Sequence, residues 1–159
     1  MDKDTQGLMF SSKSNEWATP QDFYNKLNAE FGFTLDPCAT PTTAKCSSYY
    51  TVDDDGLSKD WSGHTVFMNP PYGRKQKDWI EKAFQEGEKT GTTVVALVPA
   101  RTDTKAWHNY CMKATEIRFI KGRLKFGQGT NKTNSAPFPS AVVVFSGSPP
   151  PKVTAMERQ

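Results

Sequence analysis

The chain has 159 residues, 36% of them hydrophobic and 12% aromatic, and its twenty Lys and Arg against seventeen Asp and Glu leave a net charge of +3. That length suits one domain with a substantial core, and aromatic residues spread along the whole chain exclude a wholly disordered protein. No apolar run approaches the ~20 residues needed to cross a bilayer, and the polar start over 1–10 lacks the basic-then-apolar order of an export signal, so the expectation is a soluble, unexported protein.

The mild positive balance permits a nucleic-acid partner without demanding one. Acids crowd the first sixty residues, with Asp53, Asp54, Asp55 and Asp60, whereas bases dominate the later part. Cys38, Cys46 and Cys111 lack CxxC spacing, which points to free thiols in a reducing compartment.

In chain order, residues 1–15 are polar and expected to be flexible, as is the Pro-rich tail over 147–159, leaving 16–146 as the folded body. Thr19 and Pro20 predict a helix over 21–31, with Thr19 as N-cap, Pro20 in the first helical position and Phe23, Leu27 and Phe31 on one face. Short strands follow over 33–35 and 48–52, both ending in carboxylates, then a strand over 65–68 halted by Asn69, Pro70 and Pro71. A helix over 76–89 places Trp79, Ile80, Ala83 and Phe84 inward. After it come a buried strand over 92–98, a helix over 104–113, strands over 116–120 and 124–126, and a last buried strand over 141–145. Strands alternating with helices specify an α/β, largely parallel sheet, in which ligands bind beyond the carboxyl ends of the strands.

That rule directs attention to four segments expected to meet at one rim: 36–39, 53–57, 69–72 and 99–103. Asn69-Pro70-Pro71-Tyr72 is the most informative. Two prolines fix φ and remove two N–H donors, so acceptors outnumber donors in a rigid loop. The Asn69 side-chain oxygen and the Pro70 carbonyl suit both hydrogens of a planar exocyclic amino group, and Tyr72 offers a face for a heteroaromatic ring.

These residues match the catalytic motif of S-adenosylmethionine-dependent amino-group methyltransferases. Together with Trp17-Ala18-Thr19-Pro20, Leu35-Asp36-Pro37-Cys38-Ala39, Asp55-Gly56-Leu57 with Trp61, the stretch 97–104 and Gly122-Arg123-Leu124-Lys125-Phe126, the chain resembles the small phage-type, Dam-like DNA N6-adenine methyltransferases. The resemblance covers nearly all of 16–146. It implies a single-domain, Rossmann-like methyltransferase fold with a mostly parallel central sheet, abbreviated on the cofactor side because 36–69 leaves room for little more than one strand. The implied cofactor is S-adenosyl-L-methionine and the implied partner DNA, in the cytoplasm of a host cell if the gene is a phage's, with no membrane role.

Carried over by position, Asn69, Pro70, Pro71 and Tyr72 would be catalytic. Trp17, Thr19 and Pro20 would enclose the methionine end of the cofactor, Asp36 and Pro37 stand at its first motif, Asp55 accepts from its adenine and Asp53 from ribose hydroxyls. The FxGxG loop of the wider class is replaced by Pro37-Cys38-Ala39. Arg74, Lys75, Arg101, Arg123 and Lys125 would bind phosphates flanking a flipped base, with Asp103 orienting Arg101 or capping the next helix. His64 and His108 are not spaced as metal ligands, and the chemistry needs no metal. N4 of cytosine, RNA or a protein glutamine remain alternative acceptors, as does a binding module on the same fold that has lost transfer.

Overall fold

The computed structural model describes residues 18–127, 135–147 and 152–159. Five strands, β1 (Thr65–Met68), β2 (Thr93–Pro99), β3 (Glu116–Lys121), β4 (Ser140–Phe145) and β5 (Lys152–Glu157), form one sheet in the order β1-β2-β4-β3-β5. Among the described residues three α-helices cover it: α1 (Gln21–Phe31), α2 (Gln76–Gly87) and α3 (Lys105–Asn109). No helix among the described residues is long and apolar enough to cross a membrane.

The sheet is mixed rather than mostly parallel. β1 pairs parallel with β2 and β3 with β5, but β4 runs antiparallel to both β2 and β3. The reason lies in the connection. A parallel strand after β3 requires a crossover that carries the chain back to the opposite end of the sheet. Here β3 ends and β4 begins at the same rim, so the chain re-enters the sheet reversed.

Among the described residues the sheet continues beyond β1 as single parallel bridges, Leu35 to Val66 and Asp36 to Tyr49. The strands expected over 33–35 and 48–52 shrink to these bridges, and the one expected over 124–126 to a bridge between Lys125 and Ser135. At the other edge, part of the tail expected to be flexible forms β5, paired along all of β3. An edge strand needs one ladder partner and little apolar surface; Met156 alone in β5 is buried, which hid it from a reading of hydrophobic pattern.

Alternation along the strands makes three layers. Val66, Met68, Val94, Ala96, Val98, Ala141, Val143 and Phe145 face α2 and α3, whereas Phe67, Val95, Leu97, Val142 and Val144 face α1 and the segment that carries Phe126 and Phe138. Burial on both faces explains why these strands read as continuous apolar runs.

α1 starts after Pro20, which occupies the N-cap itself, and ends at Gly32 in the left-handed region, φ 70°. Thr19 does not cap it. The helix expected over 104–113 breaks at Tyr110 and continues as a 3-10 turn, Cys111–Lys113; its N-cap is Thr104, whose hydroxyl accepts from Trp107 N–H at 3.2 Å, so Asp103 does not cap it.

α2 lies so close to β4 that a Cβ on Gly87 would come 2.6 Å from the Phe145 Cβ. Gly87→Ala is therefore expected to destabilise the protein by about 1–3 kcal/mol, because backbone or a core side chain must shift; a urea titration followed by circular dichroism measures it.

Candidate functional site

β1, buried along most of its length, delivers Asn69 at the rim where the strands' carboxyl ends gather. Asn69 Nδ2 donates to Thr19 Oγ1 at 3.0 Å, and its backbone N–H points at the Cys38 thiol. Both contacts cross between chain segments, so Asn69 is held by its side chain to Thr19 and by its backbone to Cys38. Thr19 is 2% exposed and spends its hydroxyl here rather than on α1. Gly127 N–H donates to the Ala18 carbonyl at 3.0 Å, which fixes the approach of that segment.

Pro70 is buried and Pro71 half-buried. The Tyr72 ring meets Phe138 at 5.2 Å between centroids and Phe126, nearly edge-on, at 6.2 Å, and burial pushes its phenol pKa up. The Arg101 guanidinium lies over Phe138, 5.5 Å from its centroid. Phe138 is a member of this cluster that sequence reasoning missed; its only signal was an aromatic residue set between Pro137 and Pro139.

On one side of Asn69 the rim is acidic. Asp36 is 4% exposed, and its carboxylate accepts from Lys45 N–H at 3.0 Å and from Cys38 N–H. Burial nevertheless raises its pKa from 3.8 to about 6. Gly56 is seated against Pro37, since a Cβ there would come 2.3 Å from the Pro37 carbonyl oxygen, and no other residue type fits. Asp55, just before it, has φ 57°, a left-handed backbone that Asp tolerates better than most residues. Trp61, fully buried, donates Nε1 to the Gly56 carbonyl at 3.0 Å, and its own N–H donates to Glu86. Of the three aspartates, Asp54 is occupied within the turn, accepting from Thr51 N–H and hydroxyl, while Asp53 and Asp55 are exposed.

The other side is basic. A cleft of about 640 Å³ opens between Tyr72, the start of α2 and the turn from β2 into α3, with Arg74, Lys77, Arg101 and Lys105 among its lining residues. Lys75 is exposed at the N-cap of α2. Arg123 is exposed and donates from Nη1 to the Ala136 carbonyl at 3.1 Å, and Lys125 is exposed. His64 Nδ1 bonds Thr34 and His108 Nε2 bonds the Thr102 carbonyl. Trp17 lies outside the described residues, and Pro20 sits half-buried at the head of α1.

The family model described as DNA N-6-adenine-methyltransferase (Dam) matches residues 8–155. The chain belongs to the Dam family. A DNA N-6-adenine-methyltransferase of Haemophilus phage HP1 (strain HP1c1) is 30% identical over 148 residues, covering 87% of this chain and 83% of its own. A shorter relative, "Putative methyltransferase YfdM" of Escherichia coli (strain K12), is 38% identical over 65 residues, 36% of this chain and 71% of its own. This Dam-family enzyme is thus an adenine-specific DNA methyltransferase of the phage type, and the match extends into both ends that the sequence reading set outside the folded body.

Two outcomes test the geometry of the Dam-family site. Thr19→Val removes the acceptor for Asn69 and is expected to lower kcat at least ~10-fold with KM for DNA little changed, whereas Thr19→Ser restores the rate. Asp36 holds its proton more tightly in the folded protein than in the unfolded chain, so its ionisation costs stability that is absent near pH 3.8 and grows as pH rises to about 6. Asp36→Asn is expected to remove that decline, on the order of 2–3 kcal/mol, in denaturation midpoints measured across this range and above it.

Proposed function

We propose that this protein methylates the N6 amino group of adenine in DNA, with the base flipped out of the duplex and held by the Asn69-Pro70-Pro71-Tyr72 loop, using S-adenosyl-L-methionine as donor. The observation that carries this reading is the anchoring of Asn69 by Thr19 and Cys38 at the boundary between an acidic and a basic half of the rim.

The donor set of the acidic half suits the cofactor. Its ammonium and sulfonium groups are cationic and its ribose offers hydroxyls, and the carboxylates of Asp36, Asp53 and Asp55 are the complementary chemistry. Asp36 and Pro37, at the end of the segment paired to β1, would hold the amino-acid end, with Trp17, Thr19 and Pro20 closing over it. Asp53 and Asp55, on the turn seated against Pro37, would take the ribose and the adenine amino group. When bound, the cofactor supplies an electrophilic methyl on a positively charged sulfur.

The remaining work falls to the chain's own residues. An adenine amino group is a weak nucleophile because its lone pair is delocalised into the ring. Asn69 Oδ1 and the Pro70 carbonyl would accept its two hydrogens, draw them out of the ring plane and localise the lone pair at N6. Pro70 and Pro71 keep those acceptors from drifting, and fixed geometry of this kind supplies a large part of a rate enhancement. Tyr72 presents an aromatic surface to the base, at an unstacking cost of a few kcal/mol. Arg74, Lys75, Arg101 and Lys125 would neutralise neighbouring phosphates, with Arg123 contributing only what its bond to Ala136 leaves. The setting is the cytoplasm of the host, where the DNA lies, and the methyltransferase domain comprises 16–146 together with β5, which completes the edge of its sheet.

Incubation with labelled S-adenosyl-L-methionine and unmethylated DNA, followed by nucleoside mass spectrometry, is expected to yield N6-methyladenine. Asn69→Ala is expected to reduce the yield at least ~100-fold while calorimetry shows cofactor binding unchanged. Full activity in that variant, or N4-methylcytosine as the sole product, would overturn the assignment.

A further inference from the structure

The cleft beside Tyr72 has chemistry that the catalytic loop leaves unused. At about 640 Å³ it falls in the range of small-ligand pockets. Its inner surface is apolar, formed by Ile80, Pro99 and Trp107, all buried. Around it stand Arg74, Lys77, Arg101 and Lys105, all exposed, and no carboxylate is among its lining residues.

A second feature points to a ligand. Gln76, the first residue of α2, lines the cleft, and its Nε2 is buried with no acceptor among the described residues. A buried donor without a partner carries an uncompensated desolvation penalty, which a ligand acceptor relieves.

These features specify one chemical class. An apolar, partly aromatic wall takes a planar ring, four cations take phosphate oxygens, and a side-chain amide takes the edge of a base. The same four cations repel the positively charged cofactor, whose complementary acids lie across Asn69. Resting on the reading of the protein as a DNA methyltransferase, we infer that this cleft seats a nucleotide of the DNA next to the target adenine, with its phosphates on Lys77 and Lys105 and its base edge read by Gln76.

Gln76 is then a specificity-determining residue, while Lys77 and Lys105, projecting from the first turns of α2 and α3, set position and affinity. Arg74 and Arg101 serve both this nucleotide and the target. Recognition of a neighbouring base thereby needs no separate recognition domain.

Two readouts on the purified full chain test this. Fluorescence anisotropy with a labelled duplex over a range of salt concentrations is expected to show that Lys77→Ala and Lys105→Ala each reduce the slope of log affinity against log salt by about 1, with Gln76→Leu leaving it unchanged. Methylation of a random-sequence duplex pool, with sequencing of the methylated sites, is expected to show Gln76→Leu losing preference about 10-fold at one position adjacent to the adenine. Gln76→Glu, which replaces a donor by an acceptor, is expected to move that preference toward a base presenting a donor there. Wild-type methylation with slopes and site profiles unchanged in all four variants overturns the cleft assignment and leaves the reaction standing. Slopes that fall while the profile holds overturn base reading by Gln76. A wild-type protein that yields no N6-methyladenine in DNA overturns both readings together.

Discussion

β1 is four residues long, and nearly everything at the site hangs from it. Buried between two layers of the protein, it must find partners for its backbone along both edges, because a buried N–H or C=O without one is costly. It takes β2 on one side and the 34–36 segment on the other, where Thr34 N–H donates to the Thr65 carbonyl and Phe67 N–H to the Leu35 carbonyl. Both partners run parallel to it, so all three release their chains at the same rim. Asp36, Asn69 and the Pro99–Arg101 turn therefore emerge side by side as a consequence of hydrogen-bond direction. The Asn69-Pro70-Pro71-Tyr72 loop inherits its place from that ladder.

Much of this was legible in the residues. The limits of α1, the position of α2 and the cores of β1, β2 and β4 follow from local periodicity and from Pro, Gly and Asp punctuation, which each segment carries in itself. What escaped was relational. The reversal of β4 is written in where β3 leaves the sheet, and no property of Ser140–Phe145 encodes it. β5 depends on an edge that only the folded sheet provides. Thr19 before Pro20 carries the local signature of a helix cap, and nothing near it in the chain reveals that its hydroxyl is spent on Asn69, fifty positions away. Phe138 joins Tyr72 and Phe126 for the same kind of reason, and Lys77 and Lys105 share a cleft only because α2 and α3 begin at one rim.

A net charge of +3 conceals a strong division. Asp36, Asp53 and Asp55 lie on one side of Asn69, and Arg74, Lys77, Arg101 and Lys105 on the other. Such a surface presents fields of opposite sign on its two halves and draws cations and anions to different places. The acidic half is organised by backbone geometry, through the approach of Gly56 to Pro37 and the left-handed Asp55, whereas the basic half consists of exposed side chains. The first is thus constrained by its backbone, and the second by the reach of its side chains.

α2 joins these halves. Gln76 and Lys77 at its start line the cleft; in its middle Trp79 stacks on Trp61 at 6.2 Å, and near its end Glu86, itself paired with Lys82 and Lys89, accepts from the Trp61 backbone N–H. Trp61 in turn grips Gly56. The helix is thus a single lever with one arm in the basic cleft and the other beneath the acidic turn. A substitution in its buried face therefore bears on the cleft and on the acidic turn together, through one element packed against both.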